Sequence, residues 1–144
     1  MIVFDCSSLI SAAFRPGNVP DRAVRHALAT DTVAVSDPML AELVDVLYRP
    51  RLARWIDPAQ RAALLGLIHG LGILIKPAVA VTDCRDPKDD IYLELALAAD
   101  AGTIVSSDCD LLVLNPWRGV SIVNPAEYLS RAVGPAGART IGCD

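Results

Sequence analysis

Ile2-Val3-Phe4-Asp5-Cys6-Ser7 places an acid and two small residues directly after three consecutive apolar residues. A short apolar run of this kind predicts a buried strand, which here ends at Asp5. A second stretch, Thr103-Ile104-Val105, leads in the same way into Ser106-Ser107-Asp108. Longer stretches with helical apolar spacing lie between the strand-like runs, and this alternation is typical of a parallel α/β sheet.

Turn residues and helix-start signals divide the rest of the chain into further elements. Ser36-Asp37-Pro38 and Asp57-Pro58 each place a capping side chain before a proline, which predicts that helices begin there. Gly102 is expected to end a helix that begins at residue 89 or 90. We predict further strands at residues 33–35, 73–75 and 120–123, and further helices over residues 7–14, 21–29, 57–69 and from residue 125 onward.

Length and composition predict one domain with a substantial core. The 144 residues are 53% hydrophobic and 21% charged, and this balance excludes an intrinsically disordered chain. We expect residues 1–133 to form a single domain. Residues 134–144 have little apolar surface to bury, so we predict that they are a flexible C-terminal tail.

Nothing in the sequence resembles a targeting signal or a membrane span. Charged residues or glycines interrupt each apolar stretch before the roughly 20 residues that a spanning helix needs. The cysteines show no C-x-x-C spacing, so we expect reduced thiols rather than a zinc site. They are Cys6, Cys84, Cys109 and Cys143. We therefore expect a cytoplasmic protein with no membrane association.

The charges are distributed unevenly along the chain. Thirteen basic and 17 acidic residues give a net charge of −4, and this total argues against a nucleic-acid-binding domain. Residues 83–110, however, hold eight acidic and two basic residues, a net charge of −6. Residues 15–61 hold seven arginines and six acidic residues. The excess of acid therefore belongs to one segment, and its position bears more on function than the total charge.

Several carboxylates fall where strands of the predicted sheet end. Asp5 and Asp108 each follow an apolar strand, and the carboxyl ends of parallel strands meet at one edge of a sheet. Asp90 lies at the start of the helix before the second of these strands. Glu42 lies off the apolar face of the helix that begins at Pro38. Neighbouring carboxylates raise one another's pKa, and a hard divalent cation such as Mg²⁺ or Mn²⁺ relieves their repulsion.

The acids also have purely structural interpretations. Asp86 suits a turn and Asp89 suits a helix cap. Asp108 and Asp110 together suit a polar turn. Three further acids are predicted to be helix caps: Asp21, Asp37 and Asp57. Asp5 is harder to explain in this way, because an acid that ends an apolar strand is costly to bury without a partner.

Four blocks of sequence lie in a distinctive order along the chain. They are Ile2-Val3-Phe4-Asp5-Cys6-Ser7, Ser36-Asp37-Pro38-Met39-Leu40-Ala41-Glu42-Leu43, Asp86-Pro87-Lys88-Asp89-Asp90 and Ile104-Val105-Ser106-Ser107-Asp108-Cys109-Asp110-Leu111-Leu112. In this order the blocks resemble the PIN-domain nucleases, including the VapC-like toxins of bacterial toxin–antitoxin pairs. The resemblance extends to about residue 129. It implies an α/β fold with three α/β/α layers and a central, mostly parallel sheet of four to five strands.

The resemblance also implies an acidic site for one or two Mg²⁺ or Mn²⁺ ions. The implied catalytic and metal-binding residues are Asp5, Glu42, Asp90 and Asp108, and Asp110 joins them as a metal ligand. Asp90 is preferred to Asp89 because it precedes Asp108 by 18 residues, the separation associated with the family pattern. The side chains implied to support these ligands or to face the substrate are Ser7, Ser36, Asp86, Asp89 and Ser107.

The implied activity is metal-dependent endonucleolytic hydrolysis of RNA, with 5′-phosphate and 3′-hydroxyl ends as products. The resemblance further implies that the protein is the toxin of a type II toxin–antitoxin pair. A cognate antitoxin would then cover the acidic crevice, and a homodimer is a common assembly in the family. Arg49, Arg51 and Arg54 are candidates for RNA phosphate contacts, which an acidic site cannot provide. A solvated helix face is the alternative interpretation of these arginines.

Two other functions are compatible with the same residues. The family usually has Asn where this chain has Ser7, which leaves open a catalytically weak or inactive PIN-fold binding module that acts through protein or RNA contacts. A phosphotransfer domain built on Asp5 is the second alternative. A phosphatase of this kind needs another Asp where Ser7 stands, and a receiver domain needs a late strand-end Lys that the sequence lacks.

Overall fold

The computed structural model describes residues 1–133, so the predicted flexible tail at 134–144 and Cys143 lie outside the described residues. The strands are β1 (Ile2–Phe4), β2 (Ala34–Val35), β3 (Ile73–Leu74), β4 (Thr103–Val105) and β5 (Ser121–Val123). The helices are α1 (Cys6–Phe14), α2 (Val19–Thr30), α3 (Asp37–Leu47), α4 (Pro50–Ala53), α5 (Pro58–Leu71), α6 (Asp90–Ala98), α7 (Cys109–Leu112) and α8 (Pro125–Val133). A 3₁₀ turn, Pro87–Asp89, directly precedes α6.

The strands form a parallel arrangement in two hydrogen-bonded groups. Strand β4 pairs with both β1 and β5, and β2 pairs with β3, each pair in parallel. An isolated parallel bridge between Ile2 and Val33 joins the two groups, so the order across the molecule is β3-β2-β1-β4-β5. The predicted α/β fold, with a parallel sheet of four to five strands, is confirmed.

Helices flank this sheet and complete the outer layers. Helix α6 packs against β1, β2 and β4, while α1 packs against α2, α3 and α5. Helix α8 packs against α2. The middle of the sheet is apolar, and Val3, Phe4 and Ile104 are fully buried there. Among residues 1–133, no helix combines the length and the apolar character that a membrane crossing requires.

The register of the strands aligns the residues that follow them. Phe4 lies opposite Val105, so Asp5 continues β1 beside the residue that follows β4. The Asp5 amide donates to the Val105 carbonyl at 3.0 Å, and the Ser106 amide donates to the Val123 carbonyl at 2.9 Å. Asp5 and Ser106 are consequently neighbours at the carboxyl edge of the sheet, where α/β folds collect their functional groups.

The helix starts follow the sequence signals with two corrections, which concern the capping residues. Ser36 Oγ accepts from the Met39 amide at the start of α3, and Asp57 Oδ1 accepts from two amides at the start of α5. The prediction that Asp21 caps a helix is wrong, because Asn18 caps α2. Asp21 instead lies buried within the first turn, where its carboxylate accepts from Arg25 Nε at 2.9 Å. Asp37 likewise follows its cap rather than providing it.

The cysteines of the described residues do not share one chemical state. Cys6 and Cys84 are buried free thiols, as expected. Cys109 is disulfide-bonded, so the prediction that it is a reduced thiol is wrong. Neither free cysteine belongs to a sulfur-rich cluster among residues 1–133, where the metal-binding geometry consists of carboxylates alone.

Candidate active site

Asp5 is a buried carboxylate held by three donors. It caps α1, where its Oδ1 accepts from the Ser8 amide at 3.0 Å. Its Oδ2 accepts from Ser7 Oγ at 2.7 Å and from Ser106 Oγ at 2.6 Å. Burial raises the pKa of Asp5 although these hydrogen bonds oppose the shift. The carboxylate is therefore fixed in orientation at a site where a negative charge is poorly solvated.

Ser106 links Asp5 to the second strand-end acid. Its hydroxyl donates to Asp5 and also accepts from the Asp108 amide at 2.9 Å. Asp108 caps α7, and its Oδ1 accepts from the Asp110 amide at 2.9 Å. Ser107, which the family resemblance implied as a supporting residue, is exposed, whereas Ser106 is buried. The pairing of β1 with β4 was the signal that could have identified Ser106, because it places this residue beside Asp5.

Asp89 enters the same cluster from the 3₁₀ turn. One carboxylate oxygen each of Asp86, Asp89 and Asp110 lies within 4.8 Å of the others. Burial raises the pKa of Asp89 to about 8, and contact with Asp108 and the charges of Asp108, Asp86 and Asp5 add to the shift. Asp89 Oδ2 is buried and has no hydrogen-bond partner among residues 1–133. The cluster thus carries more negative charge than its own donors neutralise.

Asp90, the neighbouring acid, forms a hydrogen bond with the Cys84 amide. It is buried at the first position of α6, and its Oδ1 accepts from the Cys84 amide at 2.8 Å. That hydrogen bond fastens the loop before the 3₁₀ turn to α6. Consecutive residues in a 3₁₀ turn point about 120° apart. The structure accordingly brings Asp89 next to Asp108 and turns the Asp90 carboxylate toward the Cys84 loop.

Glu42 lies on α3, and its carboxylate contacts Tyr92 of α6. Tyr92 Oη donates to Glu42 Oε2 at 3.3 Å. Burial raises the pKa of the Cys6 thiol to about 12, and the charges of Glu42 and Asp5 add to the shift. Burial likewise raises the pKa of Tyr92, with Cys6, Glu42 and Asp5 contributing. Cys6 and Tyr92, which the sequence patterns did not indicate as site residues, therefore lie close enough to Glu42 and Asp5 for both carboxylates to raise their pKa values.

The remaining predicted residues lie at varying distances from this cluster. Ser36 is buried and its hydroxyl caps α3, without a contact to the acids among the described residues. Arg49 pairs with Asp45 at 2.7 Å on the surface. Arg54 Cζ lies 5.0 Å from the centroid of the Trp55 ring. Arg51 is exposed and forms no ion pair within residues 1–133.

The acidic cluster has the chemistry of a site for a hard divalent cation. Its ligand atoms are carboxylate oxygens, which Mg²⁺ and Mn²⁺ prefer over nitrogen or sulfur. The unpartnered Oδ2 of Asp89 is available to a cation, and a bound cation would offset the repulsion that adds to the effect of burial on the pKa of this residue. The residues present therefore fit a bound metal.

Comparison with known proteins is in accord with this geometry. No curated protein matches the chain. A family model described as PIN domain matches residues 1–110, a segment that contains all the acids of the cluster. PIN domains have a nuclease fold and generally act as metal-dependent nucleases on RNA or DNA. The resemblance drawn from the four sequence blocks is thus confirmed at the level of the family, and the chain belongs to the PIN domain family.

Proposed function

We propose that this protein is a metal-dependent endoribonuclease that hydrolyses RNA phosphodiester bonds. The observation that carries the proposal is the convergence of Asp5, Asp89 and Asp108 from three separate elements, with one oxygen of Asp89 unpartnered. The cofactor is Mg²⁺ or Mn²⁺, as one or two ions. The direct test is cleavage of single-stranded RNA on addition of Mn²⁺ and its loss in EDTA, with 5′-phosphate ends on the products.

Each acid of the cluster has a part in this proposal. Asp5, Asp89 and Asp108 hold the metal, with Asp86 and Asp110 beside them. An ion held by these residues would lower the pKa of a water molecule and offset the charge on the departing oxygen. Asp90 positions the loop through Cys84 instead of acting as a ligand. Four further side chains act as positioning residues: Ser7, Ser106, Glu42 and Tyr92.

The geometry around Asp5 prepares the site before RNA binds. Two hydroxyls and one amide fix both oxygens of this carboxylate, so little reorganisation is needed when a cation arrives. Ser7 stands where the family usually has Asn, and its hydroxyl donates to Asp5 at 2.7 Å. The replacement therefore retains a donor to the carboxylate. This contact supports an active enzyme.

We further propose that the enzyme is the toxin of a type II toxin–antitoxin pair in the cytoplasm. The support is the resemblance of the four sequence blocks to such toxins. A cognate antitoxin would cover the acidic crevice, and a homodimer is the expected assembly. Induced expression of the wild-type chain should arrest bacterial growth, whereas Asp5→Asn should not. Growth arrest by both proteins, or by neither at equal expression, contradicts the toxin role.

The exposed arginines near α4 should contribute phosphate contacts. Each phosphate contact to a single strand contributes about 0.7 to the slope of log binding constant against log salt. Arg51→Ala should therefore reduce the magnitude of this slope by about 0.7. The matched control is Arg131→Ala on α8, where the arginine pairs with Glu127. Metal-free titrations of labelled RNA at several salt concentrations measure both, and equal slopes for the two variants rule out a phosphate contact by Arg51.

A binding module without catalysis is the second candidate. It is favoured by the burial of Asp5, which is 1% exposed and has two hydroxyls on one oxygen. Such a carboxylate can be satisfied without a cation. Calorimetric titration with Mn²⁺ separates the two candidates. A binding module should give no heat of metal binding and should leave RNA uncut. The proposed nuclease should bind one or two ions.

A further inference from the structure

We infer that the surface from the end of α3 to the first turn of α5 binds single-stranded RNA by stacking unpaired bases on two exposed aromatic rings. This Arg–aromatic surface consists of Tyr48, Arg49, Arg51, Arg54, Trp55 and Arg61. The inference rests on the proposed function, because it takes RNA as the substrate. It specifies the strandedness of that substrate and the residues outside the acidic cluster that hold it.

Trp55 is the clearest element of this surface. Aromatic residues make up only 5% of the chain, yet Trp55 is 64% exposed, whereas the second tryptophan, Trp117, is 6% exposed. The Arg54 guanidinium lies 5.0 Å from the centroid of the Trp55 ring. A large exposed ring with a cation beside it offers a flat apolar face and a positive charge to a binding partner. An unpaired base offers both a flat face for the ring and a phosphate for the arginine.

Tyr48 repeats the arrangement on the adjacent segment. Its ring is 53% exposed, and Arg61 Cζ lies 4.1 Å from the ring centroid. Arg61 is held in place by its Nη1, which donates to the Leu47 carbonyl at 3.4 Å. Its Nε is buried and has no hydrogen-bond partner among residues 1–133. The guanidinium is therefore fixed against the ring, with donor capacity that residues 1–133 do not use.

Charge and position favour RNA as the occupant. Residues 48–61 hold four arginines and one acid in a chain whose net charge is −4. Helix α3 carries Glu42 toward the acidic cluster and Tyr48 at its end, about 9 Å further along the axis. An RNA strand stacked on Tyr48 would thus lie one to two helical turns along α3 from Glu42. An acidic peptide would satisfy the arginines but would leave the ring faces without a matching partner.

Tryptophan fluorescence tests the inference without requiring cleavage. In EDTA, a single-stranded oligo(A) of about 10 nucleotides should quench the emission of exposed Trp55, and an RNA duplex of the same length should not. Trp55→Ala should weaken binding of the oligonucleotide by about tenfold or more. Trp55→Phe should lose the quench but keep most of the affinity, because a ring remains. Arg131→Ala on α8 is the surface control and should bind as the wild type does.

The outcomes separate this inference from the proposed function. Quenching and tight binding without cleavage on addition of Mn²⁺ would support the stacking surface and refute the nuclease. The stacking surface alone would be refuted if the protein cleaves RNA but its Trp55 emission does not change when RNA is added. Equal affinity for duplex and single strand, or unchanged affinity in Trp55→Ala, also overturns it. Each of these results would favour a protein partner over RNA as the occupant of the Arg–aromatic surface.

Discussion

Asp89→Asn should abolish high-affinity binding of Mn²⁺ and reduce RNA cleavage by about a hundredfold or more, whereas Asp90→Asn should leave both nearly unchanged. Asp89 lies beside Asp108, Asp86 and Asp110 and has an unpartnered oxygen. Losing its charge removes a ligand and reduces the negative charge that attracts the cation. Asp90 contacts the Cys84 amide through Oδ1, and the amide oxygen of Asn can accept the same hydrogen bond.

The two adjacent substitutions form a matched pair. Both replace one acid with its amide at neighbouring positions, so a general loss of negative charge affects them equally. Calorimetry with Mn²⁺ and initial rates of RNA cleavage should be measured on both variants. Loss of activity in Asp90→Asn alone would show that the residue chosen from sequence spacing is the ligand. It would contradict the site described here.

Metal-free protein should become less stable as the pH rises from about 4 to about 8, and Mn²⁺ should reverse this loss. The pKa of Asp89 is raised from an ordinary value of 3.8 to about 8. Across this window the folded chain retains a proton that the unfolded chain releases, so the free energy of unfolding falls with rising pH. The raised pKa of Asp5 acts in the same direction. Below about pH 4 the contribution is fully present, and above about pH 8 it is lost.

A bound cation changes both the size and the pH dependence of stability. At a metal concentration 100 times the dissociation constant, binding adds about 2.7 kcal/mol to the free energy of unfolding. Metal binds the ionised carboxylates, so this gain should be greatest near pH 8. Urea denaturation from pH 4 to 8, with EDTA or with Mn²⁺, measures the effect. Asp89→Asn in EDTA should show a shallower pH dependence than the wild type, and an unchanged slope would refute the assignment of the effect to Asp89.

Sequence patterns predicted that Asp5 and Asp108 lie at neighbouring strand ends because strand ends are fixed by simple rules. A short apolar run ends at Asp5 and another leads to Asp108, and parallel pairing places their ends at one edge. Ser106 donates to Asp5 because the register between β1 and β4 places the two residues side by side. Register depends on contacts between strands about 100 residues apart, and no local pattern encodes it.

Spacing along the sequence does not predict which contacts Asp89 and Asp90 make. Adjacent residues differ by one in sequence separation, whereas their side chains point in different directions once the 3₁₀ turn before α6 has formed. The two four-residue helices, α4 and α7, were missed for a related reason. A helix of one turn is too short to display an apolar periodicity. The cap of α2 was misplaced because Asn18 and Asp21 are both good capping residues.

The most direct test of the proposed metal-dependent nuclease is cleavage of single-stranded RNA by the wild type beside Asp5→Asn. The two proteins should first be matched by circular dichroism, because Asp5 also caps α1. With Mn²⁺, the wild type should cut the RNA internally, and Asp5→Asn should be slower by about a hundredfold to a thousandfold. Cleavage by a folded Asp5→Asn at the wild-type rate, or cleavage by the wild type that persists in EDTA, would contradict a metal-dependent nuclease at this site.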